Sequence, residues 1–385
     1  MKYLKIRPFT LLISIIFLFC AREDKQVEQK KENGNPFPPK KIVNKSPEKY
    51  SPLAYIENLV KTTEPKLSFK ATNLNEAKLW QKKLRKKLWE LMGEEPGSAK
   101  PNPEAILLNT QKFDTYTSEK WEIEIEPGRS MPFYVLKPDP MPESCKIVLC
   151  LHGHGYGVGD IIGQPVNEEA REYIKVSNTD YALQSVKRGW CAIAPELFTF
   201  GERVDLVEDA RPGFDGGCEK PFLNTLEIGK TLLGIRTKDV VTLINWIEAQ
   251  KQFEMSSLSC MGLSGGGMLT MYVSALDERI QRALISGYMT EALDSIMRIR
   301  HCSCNYIPGL LKWADFPDIG GLIAPRYLIV QSGKKDSIFP IESAKSAYNK
   351  IKKVYTVFDA PENVIFHEHD GYHSFWSQSL DDLFD

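Results

Sequence analysis

The sequence has no excess of charge of either sign, and its apolar N-terminal run is short. Its 49 lysines and arginines nearly balance 50 aspartates and glutamates. A nucleic-acid-binding protein is expected to carry a strongly basic face, so the composition argues against a nucleic-acid partner. The run 9–19 covers about eleven residues, whereas a membrane-spanning helix needs about 20. The sequence therefore gives no clear transmembrane span. It also shows no internal repeat.

Motifs for nucleotides and metal ions are missing as well. No Gly-Lys-Ser/Thr follows the glycine-rich stretch 262–267, and neither that stretch nor 153–159 fits G-x-G-x-x-G. His152 and His154 form one closely spaced pair, and Cys302 and Cys304 form another, but no further Cys or carboxylate pattern completes a metal site around either. Cysteines 150, 191 and 260 fall within apolar runs and are interpreted as small core residues. We expect neither a metal nor an organic cofactor.

The first twenty residues are typical of an export signal. Lys2, Lys5 and Arg7 precede the apolar run, which ends at Cys20. This segment resembles a bacterial lipoprotein signal, in which lipid is attached to the cysteine. It departs from that pattern at Phe19, where such signals carry a small residue, so an uncleaved anchor or a differently cut signal is the alternative.

The composition after the signal predicts a tether and then one large domain. Residues 21–52 are rich in Lys, Glu, Asn and Pro and cannot bury enough apolar surface to offset their ordering entropy. Residues 53–385 are expected to form a single folded domain with an N-terminal helical extension. We expect a tethered lipoprotein of the bacterial cell envelope that contacts the membrane only through its N-terminal anchor. A soluble periplasmic or secreted protein is the alternative.

The apolar pattern of the domain predicts an α/β fold. A first helix is expected where Ala77, Trp80, Leu84, Leu88 and Leu91 recur at steps of three and four, between a cap at Asn73 and a stop at Gly93. A hairpin follows around Pro127-Gly128. Apolar strand-length runs then lie at 147–151, 190–194, 258–261, 283–285, 327–330 and 364–366, with helix-like stretches at 180–187, 231–248, 267–275 and 341–352. This order predicts a mostly parallel sheet covered on both faces by helices and preceded by an antiparallel hairpin, which is the plan of the α/β-hydrolase fold.

Gly262-Leu263-Ser264-Gly265-Gly266 lies where the fifth predicted strand gives way to a helix. This arrangement is typical of a nucleophile elbow, in which a sharp turn lifts a serine hydroxyl out of the sheet. Glycines two residues before and after the serine are needed because side chains there would collide with the neighbouring strand and helix. Ser264 is therefore the predicted nucleophile, although an ordinary glycine-rich connection is the alternative reading.

Partners for this serine follow in the order that the fold requires. Asp336 lies on a short loop after the strand 327–330, and His373 lies in the turn beyond the last strand. Histidine can accept the serine proton near neutral pH, and a carboxylate fixes the imidazole tautomer. His367 and His369 compete with His373, but they alternate within the extended run and are interpreted as strand residues.

The loop after the third predicted strand is expected to complete an oxyanion hole. We expect the backbone N–H of Gly265 and that of His154 to hold the developing oxyanion, with Gly155 as the alternative to His154. Glu196, Tyr156 and Tyr372 are candidate pocket residues. The alternative for Glu196 and its neighbours is loop fixation through an ion pair such as Glu202 with Arg203.

Residues from about Met131 to Phe375 resemble the bacterial α/β-hydrolases grouped with acetyl xylan esterases and dienelactone hydrolase-like proteins. The matching segments are 152–155 (His-Gly-His-Gly), 200–203 (Phe-Gly-Glu-Arg), 262–267, 277–280, 301–309, 318–326, 333–340 and 371–375. Some relatives place the acid after the sixth strand. Glu291 follows that strand here, so it is a second candidate for the acid, weaker than Asp336. Tyr372 departs from the family, where many relatives have a second glycine.

The resemblance implies a serine hydrolase that cleaves a carboxylic ester and leaves the ester itself open. Our leading expectation for the substrate is an acetyl group on carbohydrate, or another small-molecule ester. A peptidase, thioesterase or acyltransferase of the same fold is one alternative. The other is a non-catalytic envelope protein that keeps the hydrolase scaffold for binding a partner.

Overall fold

A computed structural model describes residues 47–205 and 217–384. The predicted export signal, Cys20 and most of the predicted tether lie outside the described residues. A 3-10 turn at Glu48–Tyr50 leads into helix α1, Pro52–Thr62, whose first turn is capped by the Ser51 side chain. Folded structure therefore begins before the helix that the sequence predicted as the first. Among the helices of the described ranges, none combines the length and apolar character needed to cross a membrane.

Nine strands of the described residues form one mixed sheet. They are β1 Ala105–Lys112, β2 Tyr116–Glu126, β3 Arg129–Pro138, β4 Cys145–Leu151, β5 Cys191–Pro195, β6 Phe253–Leu263, β7 Arg282–Ser286, β8 Tyr327–Gly333 and β9 Val364–His369. Their order across the sheet is β1-β2-β3-β5-β4-β6-β7-β8-β9. The first three pair antiparallel, β3 pairs antiparallel with β5, and every neighbouring pair from β5 across the sheet to β9 is parallel.

Ten further α-helices complete the described fold. They are α2 Leu74–Met92, α3 Val158–Ile161, α4 Glu168–Ser177, α5 Tyr181–Lys187, α6 Glu219–Glu227, α7 Leu232–Glu248, α8 Gly265–Leu276, α9 Phe316–Gly321, α10 Ile341–Val357 and α11 Ser379–Phe384. The predicted caps of α2 are confirmed, since Asn73 Oδ1 accepts a hydrogen bond from Glu76 N at 3.0 Å and Gly93 ends the helix in the left-handed region.

Apolar side chains of the central strands face two separate cores because successive residues of a strand point to opposite faces. Ile147 and Leu149 of β4 join the core packed by α2, α7, α8 and α10, whereas Val148 and Cys150 join the core packed by α3, α5 and α11. The sheet is thus covered by helices on both faces. The predicted α/β-hydrolase fold is confirmed.

One sequence-based expectation about the sheet was wrong. Strand β1 was not predicted, so the serine follows the sixth strand of the chain instead of the fifth, and the loop of His154 follows β4. Cys191 is a buried core residue, as expected, and it forms a disulfide with Cys145, the first residue of β4. Both cysteines begin neighbouring parallel strands, and this places their Cα atoms 6.0 Å apart, within bonding reach.

Candidate active site

Ser264 occupies the sharp turn between β6 and α8. Its backbone has φ 59° and ψ −119°, a conformation that a residue with a side chain rarely adopts, and its N–H donates to Ser286 O at 2.9 Å. A Cβ at Gly262 would lie 2.6 Å from Leu151 O, and one at Gly266 would overlap the same carbonyl group. The two glycines are therefore required by close backbone packing, as the elbow interpretation predicted.

Asp336 and His373 lie together at the carboxyl ends of the adjacent strands β8 and β9. Asp336 Oδ2 is 2.7 Å from His373 Nδ1, and both side chains are buried. The other carboxylate oxygen, Oδ1, accepts the N–H groups of Ile338 and Phe339, each at 3.0 Å. These two bonds fix the carboxylate, so Oδ2 is left to accept a proton-bearing Nδ1.

The second ring nitrogen of His373 is available for chemistry. Nε2 is buried and has no hydrogen-bond partner within the described residues. The ring lies beside the elbow, since a Cβ at Gly287 would be 3.2 Å from His373 Nδ1 and 3.0 Å from Leu263 Cδ1. Gly287 directly follows Ser286, which accepts the Ser264 N–H. The structure thus brings the predicted base and acid to the edge of the sheet that carries the serine.

The loop after β4 packs directly against the N-terminus of α8. A Cβ at Gly153 would be only 3.3 Å from Gly265 N, and the His154 ring also lies against Gly265. Gly265 is the first residue of α8, so its N–H has no acceptor within that helix. The positive end of the helix dipole adds to this site, which can stabilise a developing negative charge.

Glu291, the alternative acid, and His367 and His369, the competing bases, contact other residues. Glu291 pairs with Lys350 at 2.7 Å and accepts a hydrogen bond from Ser346 at 2.6 Å. Burial opposes these contacts, but they hold the pKa of Glu291 below its ordinary value. His367 contacts Ser379 Oγ at 2.7 Å and Asp382, and the His369 ring stacks on Trp376.

Glu196 fixes backbone instead of facing an open pocket. It is 3% exposed, its Oε1 accepts the Val158 N–H at 3.1 Å, and it lies 3.1 Å from His152 Nε2. The suggested pairing of Glu202 with Arg203 was wrong, because Glu202 pairs with Lys120 and Arg203 pairs with Asp239.

The two tyrosines proposed for the pocket are half-buried on loops beside the site. Tyr372 directly precedes His373, and Lys335 Nζ lies 5.5 Å from the centre of its ring. The N–H of Tyr156 donates to Asp160 Oδ2 at 2.8 Å.

A small cavity behind the loop after β4 is lined by Asp160, Tyr181, Leu263 and neighbouring residues. Burial raises the pKa of Asp160 to about 6.

His301 is a further histidine near the site that sequence reasoning did not single out. Its Nε2 lies 3.0 Å from Ser295 Oγ, and its ring packs against Phe339, which also stacks on His373. Burial, together with the nearby His373 and His154, lowers the pKa of His301 to about 4. It is therefore neutral at pH 7. The only sequence signal for it was its place in the family-like segment 301–309.

A cluster of three cysteines and one histidine was also missed. The side chains of His154, Cys218, Cys302 and Cys304 converge beside the β4 loop. The sequence showed the Cys302-Ser-Cys304 pair, but nothing in its spacing pointed to Cys218 or to His154. The expectation that no further Cys completes a set around these residues was therefore wrong.

The elbow, the buried acid–imidazole pair and the mostly parallel sheet define this protein as an α/β-hydrolase. It belongs to the Abhydrolase family, whose model matches residues 42–379. The predicted resemblance to the bacterial group of such hydrolases is confirmed.

Individual relatives are distant in sequence. The chain is 24% identical to a Bacillus subtilis protein named "Putative hydrolase YtaP" over 278 residues, 70% of this chain and 86% of the relative. A solved structure described as a putative acetyl xylan esterase from Bacteroides fragilis superposes with a TM-score of 0.71 at 24% identity, covering 86% of this chain and 85% of the other. A glucuronoyl esterase from Solibacter usitatus superposes with a TM-score of 0.62 at 16% identity, covering 84% and 98%. At these identities the superpositions show the shared fold.

Proposed function

We propose that this chain hydrolyses carboxylic esters through an acyl-serine intermediate on Ser264. The observation that carries the proposal is the 2.7 Å contact between His373 Nδ1 and Asp336 Oδ2, which leaves the buried Nε2 beside the elbow without a hydrogen-bond partner among residues 47–205 and 217–384. Asp336 selects the tautomer in which Nδ1 carries the proton, so Nε2 presents a lone pair. That lone pair is what a serine hydroxyl needs in order to become a nucleophile.

The reaction proceeds in two halves. Ser264 Oγ bonds to the ester carbonyl carbon while its proton passes to His373 Nε2, and the N–H groups of Gly265 and His154 stabilise the oxyanion. The tetrahedral adduct then expels the alcohol, which takes the proton from the imidazolium. In the second half water attacks the acyl carbon while one of its protons passes to His373 Nε2. The adduct then breaks its bond to Ser264 Oγ, which regains that proton from the imidazolium as the carboxylic acid leaves. The Asp336 carboxylate holds the ring and stabilises the imidazolium each time it forms.

Acylated carbohydrate is the substrate class that we propose. The Bacteroides fragilis structure is described as a putative acetyl xylan esterase, and the Solibacter usitatus protein as a glucuronoyl esterase. Both descriptions concern esters of sugars. We assign acetyl esters first, because the Bacteroides fragilis structure has the higher TM-score of the two.

We further propose that the enzyme works outside the cytoplasm, with residues 1–20 as an export signal lipidated at Cys20 and residues 21–52 as a tether. The disulfide between Cys145 and Cys191 supports this placement, because disulfides persist in oxidising compartments. Export is tested by following the full chain in cell fractions and measuring the mass of its N-terminal peptide.

The serine mechanism is tested with a fluorophosphonate probe and p-nitrophenyl acetate. We expect labelling at Ser264 and ester hydrolysis, with both lost in Ser264→Ala and activity reduced at least about 10³-fold. Hydrolysis that is unchanged in Ser264→Ala, together with an unlabelled Ser264, would overturn the mechanism. Acetylated xylan and a methyl glucuronate ester compared at equal concentration then separate the two sugar-ester classes.

A further inference from the structure

Four potential metal ligands from three distant parts of the chain meet beside the β4 loop. His154 follows β4, Cys218 precedes α6, and Cys302 and Cys304 flank the start of the 3-10 helix Ser303–Asn305. One ligand atom from each lies within 4.8 Å of the other three, and His154 Nε2 is 3.2 Å from Cys304 Sγ. Cys218 and Cys304 are almost fully buried.

The composition and spacing of this cluster suit a tetrahedral zinc ion. A zinc ion bonded at about 2.3 Å to sulfur and about 2.0 Å to nitrogen holds neighbouring ligand atoms roughly 3.5–3.8 Å apart. The ligand atoms of the cluster all lie within 4.8 Å of one another, about 1 Å above that spacing at most, a gap that small side-chain rotations would close. Thiolate and imidazole are the ligands that zinc prefers, and a set of three cysteines and one histidine occurs in structural zinc sites.

A buried positive charge lies beside Cys218. Arg236 Nη2 and Thr199 Oγ1 each lie 3.2 Å from Cys218 Sγ, and Arg236 is 2% exposed. Arg236 is held in place because its Nε donates to Phe198 O at 3.0 Å. Three thiolates around one divalent cation leave a single net negative charge, which the guanidinium balances. A buried arginine among cysteines is thereby explained.

We propose that His154, Cys218, Cys302 and Cys304 bind one zinc ion that fixes the β4 loop, which carries His154, to the rest of the domain. Four protein ligands leave no open coordination position, so the ion has a structural role. The His154 ring lies against Gly265, and the backbone of the same residue is the proposed second oxyanion donor. The ion thus joins this loop to the start of α6 and to the 303–305 turn.

Metal content tests the proposal without any ester substrate. We expect inductively coupled plasma mass spectrometry to find one zinc ion per molecule in the full chain purified without chelators. Cys302→Ser and Cys304→Ser should lose it, whereas Cys260→Ala, at a buried cysteine outside the cluster, and Ser264→Ala should keep it. Because Ser264→Ala abolishes the proposed hydrolysis, retained zinc in this variant separates the two proposals. A zinc-free wild-type chain that stays zinc-free after incubation with Zn²⁺ would overturn the site.

Cobalt substitution keeps the test valid if the cysteine variants do not fold. Wild-type protein loaded with Co²⁺ should show the intense visible absorption of a tetrahedral ion together with thiolate-to-cobalt charge transfer. The weak spectrum of an octahedral ion contradicts the proposal. A disulfide among Cys218, Cys302 and Cys304 in the freshly purified protein, found by peptide mapping without reduction, also contradicts it.

Discussion

Asp336→Asn is the most direct test of the acid–imidazole pair. In the folded chain Asp336 Oδ1 accepts two backbone N–H groups at 3.0 Å, and Oδ2 faces His373 Nδ1 at 2.7 Å. An asparagine keeps its carbonyl oxygen toward the two N–H donors, so its NH₂ group must face Nδ1. The imidazole then has to accept at Nδ1 and carry its proton on Nε2. This tautomer cannot take the proton of Ser264.

The expected loss is large while the fold is preserved. An acid-to-amide change with this consequence lowers kcat about 10⁴-fold, which corresponds to about 5 kcal/mol of transition-state stabilisation. The change is isosteric and leaves the backbone bonds of the loop in place, so urea unfolding should shift little. The assay is kcat/KM for p-nitrophenyl acetate, combined with the rate of fluorophosphonate labelling, which does not depend on the choice of ester.

Glu291→Gln is the matched control because this residue is the competing acid. Its carboxylate contacts Lys350 and Ser346, so its amide should retain activity close to that of the wild type. More than a tenth of the wild-type labelling rate in Asp336→Asn would contradict the role proposed for this carboxylate. An equal loss of activity in Glu291→Gln and Asp336→Asn would contradict it as well.

Three further changes should affect stability. Replacing Cys145 and Cys191 by alanine should lower the free energy of unfolding by about 4 kcal/mol in guanidinium titrations, since their disulfide closes a loop with a sequence separation of 46. Burial raises the pKa of Asp160 to about 6, so ionisation destabilises the folded chain as the pH rises from about 4 to 6. Asp160→Asn should remove this loss, about 3 kcal/mol at pH 7, with little effect at pH 3. Gly262→Ala should destabilise the elbow strongly, because the new Cβ would lie 2.6 Å from Leu151 O, and should lower soluble yield and fluorophosphonate labelling together.

Each of these changes has a control and a contradicting result. Cys150→Ala removes a buried cysteine without breaking a disulfide and should cost less than the double replacement. An unfolding curve of Asp160→Asn that keeps the wild-type pH dependence would show that this carboxyl is not the cause. Gly97→Ala places a Cβ in open space at φ 79°, so it carries only the backbone cost of about 1–2 kcal/mol. Equal effects of Gly97→Ala and Gly262→Ala would contradict the packing argument.

The central sheet could be predicted because its strands are buried on both faces and therefore appear as continuous apolar runs. The elbow could also be predicted, since its two glycines form a short local pattern with the serine, although the Leu151 carbonyl that requires them lies on β4. Strand β1 was missed because its side chains, including Ile106, Leu107 and Leu108, are exposed and give no burial pattern. Helix α1 likewise buries none of its residues.

The remaining parts of the site depend on contacts that sequence spacing does not encode. Asp336 and His373 could be predicted as partners of the serine because the fold prescribes their order along the chain. Cys218, Arg236 and His154 meet because the start of α6, helix α7 and the loop after β4 pack together, and no local pattern relates them. The same holds for Glu202, whose partner Lys120 lies 82 residues earlier on β2.

The cross-link between Cys145 and Cys191 lies at the amino ends of β4 and β5, whereas all the reacting groups lie beyond the carboxyl ends. The seven residues of β4 separate these two rims by about 20 Å. Durability and turnover are therefore separable in this molecule. Heat tolerance can be adjusted by covalent changes at the amino ends of the strands. The groups that handle the substrate, at the carboxyl ends, are then left untouched.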